Sequence, residues 1–273
     1  MKKLCRDINL ADHNSPSYKI YGSGESVILI PGFAAKANSF GFQYRELNKS
    51  FRTIVIENKA IGSLNTNAEF SIPAVASEVK NILDTLSIEK AAIIGSSMGA
   101  MIALEFAQLY PDKVNCLILS SMTVKKMVDL RDLLEDSLFL PEDNTGSFFK
   151  QLARLNFSSD FIKQDRFKVF ENFFMQNAIS FRKEVLERQL SEVNKWIESG
   201  IWTRGCDCPS LFIYGSMDEL VSLETTLVEI EKFFSKSEIR IIAGGGHAVH
   251  IEKFSEYNAI INEFLTKYSL TRN

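Results

Sequence analysis

The chain alternates short, almost wholly apolar runs with longer segments in which apolar residues recur every three or four positions. Runs that are apolar at nearly every position predict strands covered on both faces, as in a parallel sheet. The segments between them, such as 72–86 with Ser71 as its N-cap, predict amphipathic helices. The alternation predicts an α/β fold with a doubly wound, mostly parallel sheet. The predicted strands are 26–31, 51–58, 90–95, 114–120, 210–215 and 238–244.

One block interrupts the alternation. Residues 123–204 contain no convincing strand run and much helical pattern, and ten of the 21 phenylalanines fall within 43 residues of this block. An insertion of this length is too long for an ordinary connection between strands. We therefore predict an inserted helical cap at 123–204, lying over one end of a core formed by residues 1–122 and 205–273.

Composition and charge exclude several classes of protein. The 273 residues carry a net charge of −3, without the basic surplus that nucleic-acid binding requires. No apolar run is long enough for a membrane span, and the first residues lack the apolar stretch of a secretory signal. The one-residue spacing of Cys206 and Cys208 matches neither a zinc site nor a CxxC redox pair. We expect reduced, incidental thiols in a cytoplasmic protein, with no cofactor, metal, nucleic acid or membrane partner.

The segment from Gly95 to Gly99 fits the pattern G-x-S-x-G with Ser97 at its centre. The chain must turn from strand to helix within about one residue there, which forces the central residue into a strained backbone conformation. Side chains two positions before and after would collide, so glycine is needed at both. An apolar run before the motif and a helical pattern after it predict a nucleophile elbow that exposes the Ser97 hydroxyl.

A serine hydroxyl needs a base, and the base needs an orienting carboxylate. Of the three histidines, His13 lies in a polar amino-terminal stretch and is interpreted as a surface residue. His247 follows the last strand after three glycines and is the favoured base, with His250 kept as the alternative base or as a packing residue. Asp218, three residues beyond a strand, is the predicted carboxylate, and the adjacent Glu219 is interpreted as a solvated loop charge.

An acyl-transfer reaction also needs donors for the oxyanion. The backbone N–H of Met98 follows the nucleophile directly at the start of the helix. The N–H of Phe33 lies in the loop after the first long strand, where Gly32 permits a turn. These two groups are the predicted oxyanion hole.

With these motifs in order, the sequence resembles the α/β-hydrolase family over nearly its whole length. The matching segments are 31–33, 95–99, 214–221 and 244–254. The resemblance implies the α/β-hydrolase fold, a triad of Ser97, Asp218 and His247, and oxyanion donors at Phe33 and Met98. The sequence departs from the family at 57–64, where it lacks the arginine, the first glycine and the serine of D-x-R-G-x-G-x-S, and at Phe254, where proline is common.

The resemblance, together with a phenylalanine-rich cap, implies hydrolysis of a carboxylic ester or thioester with an apolar acyl group through an acyl-enzyme. A carrier-bound acyl or methyl ester is one substrate class, and an acyl carrier protein is one partner. Two alternatives stay open: a C–C bond hydrolase or lyase on a small dicarbonyl or aromatic substrate, and a non-catalytic ligand receptor. The arginines that face a carrier in this hypothesis are Arg154, Arg166, Arg182 and Arg188.

Overall fold

The structure is a computed structural model. It describes residues 18–57, 70–125, 130, 145–178 and 183–268. Outside these residues lie His13, Arg182 and residues 58–64 of the segment 57–64 in which the sequence departs from the family.

Seven strands form one sheet in the order β1-β3-β2-β4-β5-β6-β7. All neighbouring pairs are parallel except β1 with β3, which are antiparallel. The predicted strands are confirmed to within two residues at each end, whereas β1 was not predicted. The strands are β1 (Tyr18–Tyr21), β2 (Ser26–Ile30), β3 (Arg52–Ile56), β4 (Ala91–Ser96), β5 (Val114–Ser120), β6 (Ser210–Gly215) and β7 (Ser237–Ile242).

Helices cover both faces of the sheet, as the unbroken apolar strands predict. In β2, Val27 and Leu29 enter the core on one face, and Ile28 and Ile30 enter the core on the other. The α-helices are α1 (Gly41–Leu47), α2 (Ile72–Thr85), α3 (Met98–Leu109), α4 (Thr145–Asn156), α5 (Ser159–Ile162), α6 (Phe167–Ala178), α7 (Lys183–Ser199), α8 (Leu223–Phe233), α9 (Val249–Glu252) and α10 (Phe254–Tyr268). Helices α2 and α3 pack on one face, and α1 and α10 on the other.

Helices α4 to α7 belong to the segment 123–204, which we call the helical insert. Among its described phenylalanines, Phe148 and Phe149 belong to one buried apolar cluster with Ala34. Phe157 and Phe161 belong to another buried cluster with Ala248. The insert therefore packs on loops that follow strands β2 and β7. Its status as a separate domain stays a prediction.

None of the helices in the described ranges is both long and apolar enough to cross a membrane.

Candidate active site

Ser97 lies between β4 and α3 with φ 54° and ψ −119°, a backbone conformation that residues other than glycine rarely adopt. Its N–H donates to the carbonyl of Ser120 at 2.8 Å, which fixes the turn against β5. The residue is half-buried, in contrast to the fully buried strand before it. The predicted strand-to-helix turn is therefore present, with strain concentrated at the serine.

Gly99 permits this turn because it leaves room for the end of β2, the strand that lies beside β4 in the sheet. A Cβ atom at this position would lie 2.0 Å from the carbonyl oxygen of Ile30. We expect Gly99→Ala to lower the free energy of unfolding by about 3 kcal/mol or more, because backbone rather than a flexible side chain must move. Gly41→Ala is the matched control, since a Cβ there meets nothing within 4 Å. Equal urea midpoints for the two variants would contradict this account.

The structure brings His247 and Asp218 together. Nδ1 of His247 lies 2.9 Å from Oδ2 and 3.1 Å from Oδ1 of Asp218. The histidine lies in the loop after β7 and the aspartate in the loop after β6, so the neighbouring strand ends supply the pair. The Asp218 carboxylate also accepts the N–H groups of Leu220 and Val221 at 2.9 and 3.1 Å. Its side chain is 0% exposed, so the carboxylate is fixed in one orientation toward the imidazole.

The predicted oxyanion loop lies against the elbow. A Cβ atom on Gly32 would lie 2.8 Å from the Ser96 carbonyl oxygen and 3.3 Å from the Ser97 Cβ. The next turn is also strained, with Ala34 at φ 51°, and the Ala34 N–H donates to Oε1 of the buried Gln189 at 3.1 Å. The helical insert thus supports this loop, a contact that the sequence analysis missed.

The residues predicted to contact a substrate line one cavity. Ser97, His247, Phe33 and Met98 all line it, while Asp218 lies behind His247. The rest of the described wall is mostly apolar and includes no Asp, Glu, Lys or Arg side chain. Of the described phenylalanines in the insert, Phe174 alone lines this wall. The insert's apolar wall residues are Leu130, Leu152, Phe174, Leu190 and Val193.

Comparison with known proteins identifies the family of this chain. The family model of the alpha/beta hydrolase fold matches residues 25–174, more than half of the chain. The chain belongs to the α/β-hydrolase family. The predicted family, fold class and hydrolase class are thereby confirmed, and the roles of the individual site residues stay predictions.

This α/β-hydrolase is similar to proteins with different names. One, from Bacillus subtilis and provisionally named a 2-succinyl-6-hydroxy-2,4-cyclohexadiene-1-carboxylate synthase, is 26% identical over 95% of this chain and 98% of its own. A 2-hydroxy-6-oxo-2,4-heptadienoate hydrolase from Pseudomonas putida is 23% identical over 89% of this chain and 90% of its own. The solved structure of a thermophilic esterase from Thermogutta terrifontis has a TM-score of 0.80 at 19% identity, covering 92% of this chain and 93% of that one.

His250, the alternative base, occupies a different environment in this hydrolase. Its ring packs between Phe40 and Tyr257, and its Nδ1 lies 3.5 Å from the Ser96 hydroxyl. Burial, with a smaller contribution from the neighbouring His247, lowers the pKa of His250 to about 3. No carboxylate contacts this ring among the hydrogen bonds of the described residues, which favours His247 over His250 as the base.

The buried His250 also predicts a pH dependence of stability. Its pKa falls from 6.5 to about 3 on folding, so between these values the unfolded chain binds a proton that the folded chain does not. Titration of His250 therefore leaves the free energy of unfolding unchanged well above pH 6.5 and lowers it as the pH falls below this value. We expect a loss of about 2 kcal/mol between pH 6.5 and pH 5 from this group. Urea unfolding at both pH values measures it, and His250→Leu, which removes the titration, is expected to flatten the dependence by this amount.

Glu252 is a site residue that the sequence analysis missed. Its buried carboxylate accepts the N–H of Gly246 at 2.9 Å, next to His247, and the N–H of Ser158 at 3.0 Å. It also accepts the Ser158 hydroxyl. One carboxylate thus joins the histidine loop to the start of α5 in the helical insert. No sequence pattern links Glu252 to Ser158, since 94 residues separate them.

We expect Glu252→Gln to lower kcat by about tenfold and the free energy of unfolding by about 1–3 kcal/mol. Both carboxylate oxygens accept hydrogen bonds, whereas the glutamine side chain has one acceptor oxygen and an NH₂ group in place of the other. The matched control is Glu256→Gln, since Glu256 is exposed on α10. Steady-state kinetics and urea unfolding of both variants measure the effects. Indistinguishable kinetics for the two variants would contradict a role of Glu252 in holding the His247 loop.

Proposed function

We propose that this chain hydrolyses a carboxylic ester or thioester with an uncharged, apolar acyl group. The observation that carries the proposal is the joint placement of Ser97, on a strained turn, and the His247–Asp218 pair at one apolar cavity. In this mechanism Ser97 attacks the carbonyl carbon while His247 takes the hydroxyl proton. The N–H groups of Phe33 and Met98 stabilise the oxyanion.

The acyl-enzyme then reacts with water. His247 first returns its proton to the leaving alcohol or thiol, and then takes one from water as the water attacks the acyl carbon. Asp218 holds the imidazole with Nδ1 protonated, so Nε2 remains the acceptor, and it stabilises the imidazolium that forms. Release of the carboxylic acid restores the Ser97 hydroxyl.

The cavity wall favours a substrate with an uncharged acyl group over a substrate with an anionic one. An acid group buried beside the described apolar wall would meet no cationic side chain there, and an unpaired buried charge is costly. The alternative, C–C bond hydrolysis or elimination on a small dicarbonyl or aromatic substrate, is supported by relatives named as a dienoate hydrolase and a cyclohexadiene carboxylate synthase.

A carrier-bound thioester is one form of the proposed substrate. The described arginines of the hypothesis are exposed, but Arg154 lies 3.8 Å from Glu171 and Arg166 lies over the Phe161 ring. Both therefore have partners within the insert. Docking of an acidic carrier would compete with these contacts, so we propose the free small-molecule ester or thioester first.

A trapping experiment followed by a substrate screen tests the proposal. A fluorophosphonate is expected to label Ser97, and p-nitrophenyl esters and acyl thioesters of graded length are expected to be hydrolysed, including an acyl-carrier thioester as one arm. Activity on a vinylogous diketone with inertness toward every ester would establish the alternative instead. Ligand binding that Ser97→Ala leaves unchanged, without any turnover, would identify a receptor.

A further inference from the structure

A pair of thiols lies at the start of β6, away from the candidate active site. The Cys206 and Cys208 sulfur atoms are 3.6 Å apart, and the Cys208 thiol donates to Cys206 Sγ. The Ser210 hydroxyl lies 3.2 Å from the Cys206 sulfur. Both cysteines are half-buried and line an open cleft. A small reagent can therefore reach them.

The backbone around the two thiols is fixed by side chains from other elements. Nε2 of Gln108, on α3, donates to the carbonyls of Ile201 and Gly205 at 3.2 and 3.0 Å. The Lys236 ammonium donates to the carbonyl of Asp207, between the two cysteines, at 3.2 Å. The loop is thus held with its sulfur atoms close together, which reduces the entropy lost in joining them.

The hydrogen bond between the two thiols also gives them different pKa values. The hydrogen bond from Cys208 lowers the pKa of Cys206 to about 7, and the same bond raises the pKa of Cys208. A thiolate is the nucleophile in disulfide exchange, so Cys206 is the attacking group near neutral pH. Cys116, in contrast, is buried, and burial raises its pKa to about 12.

We propose that Cys206 and Cys208 are a redox-modifiable pair that closes to an intrachain disulfide by exchange with a small organic disulfide such as oxidised glutathione. The Cys206 thiolate attacks one glutathione sulfur, which forms a mixed disulfide and releases one glutathione thiolate. Cys208 then loses its proton to solvent and attacks the Cys206 sulfur, which releases the second glutathione thiolate. The two protein thiols are oxidised by two electrons, and the glutathione disulfide is reduced by two.

The pair lies at the opposite end of β6 from Asp218. Six strand residues span about 20 Å, so closing this disulfide leaves the candidate active site in place. We expect turnover by the oxidised and reduced proteins to agree within about twofold. The redox test and the proposed function therefore succeed or fail separately.

The experiment uses the full chain with Cys5→Ser, so that Cys116 is the remaining cysteine outside the pair. The protein is incubated with oxidised glutathione, quenched with acid, denatured and alkylated. We expect one alkyl group, on Cys116, and a mass two hydrogens below that of the reduced chain carrying one alkyl group. We also expect a peptide in which Cys206 and Cys208 are joined by a disulfide. Alkylation of both paired cysteines, or a glutathione on each, would overturn the proposal.

Two further variants in the same background, Cys206→Ser and Cys208→Ser, test the order of attack. We expect Cys208→Ser to retain a persistent glutathione adduct on Cys206 and Cys206→Ser to be modified at least tenfold more slowly. Circular dichroism verifies that both are folded. Equal rates for the two variants, or a persistent adduct on the unsubstituted pair, would show that the thiols react independently.

Discussion

Replacing Ser97 with alanine is expected to lower kcat by about 10⁴-fold or more while the protein remains folded. The hydroxyl is the proposed nucleophile, and no other non-glycine residue on the described cavity wall has a positive φ. Alanine keeps the Cβ atom and the backbone N–H that bonds to Ser120. The measurement is kcat on the best ester of the screen, with thermal unfolding as the check on folding.

Ser96→Ala is the matched control for this prediction. Ser96 is adjacent in the chain, and its hydroxyl lies near His250 rather than on the Asp218–His247 pair. We expect this variant to keep kcat within about tenfold of the unsubstituted enzyme. If Ser97→Ala retained a tenth of the activity, or if both variants lost activity equally, Ser97 would not be the nucleophile.

The sequence was sufficient to predict the central sheet because its strands are buried on both faces. Such strands are apolar at nearly every position, so the patterns of 91–96 and 210–215 predict strands without any knowledge of their partners. Strand β1, Tyr18–Tyr21, was missed since it is short, lies at the edge and mixes lysine with half-buried tyrosines. Its pairing with β3, rather than its own pattern, makes it a strand.

Site residues were predictable where a local turn or strand end determines their position. Ser97 depends on its own motif, and Asp218 and His247 each follow a strand at the same edge of the sheet. Glu252 and Gln189 depend instead on the placement of the helical insert. The Glu252–Ser158 and Gln189–Ala34 contacts span 94 and 155 residues, and no local pattern encodes such a distance.

Asp218→Asn is expected to lower kcat by about 10³- to 10⁴-fold, the second large effect. The amide can still accept the N–H groups of Leu220 and Val221, so the loop is expected to keep its shape. It cannot stabilise an imidazolium, and an NH₂ facing Nδ1 favours the tautomer that has its proton on Nε2. His247 would then be unable to accept the Ser97 proton.

The adjacent Glu219→Gln removes one negative charge from the same loop and is the matched control, since Glu219 is exposed. We expect its kcat to change by less than about threefold, because an exposed charge is screened by solvent. Both variants are compared by kcat across a pH series and by urea unfolding. A tautomer defect lowers kcat in Asp218→Asn at every pH while stability stays close to the control. A loss of similar size in Glu219→Gln would assign the effect to loop charge, and Asp218 would no longer be the orienting carboxylate.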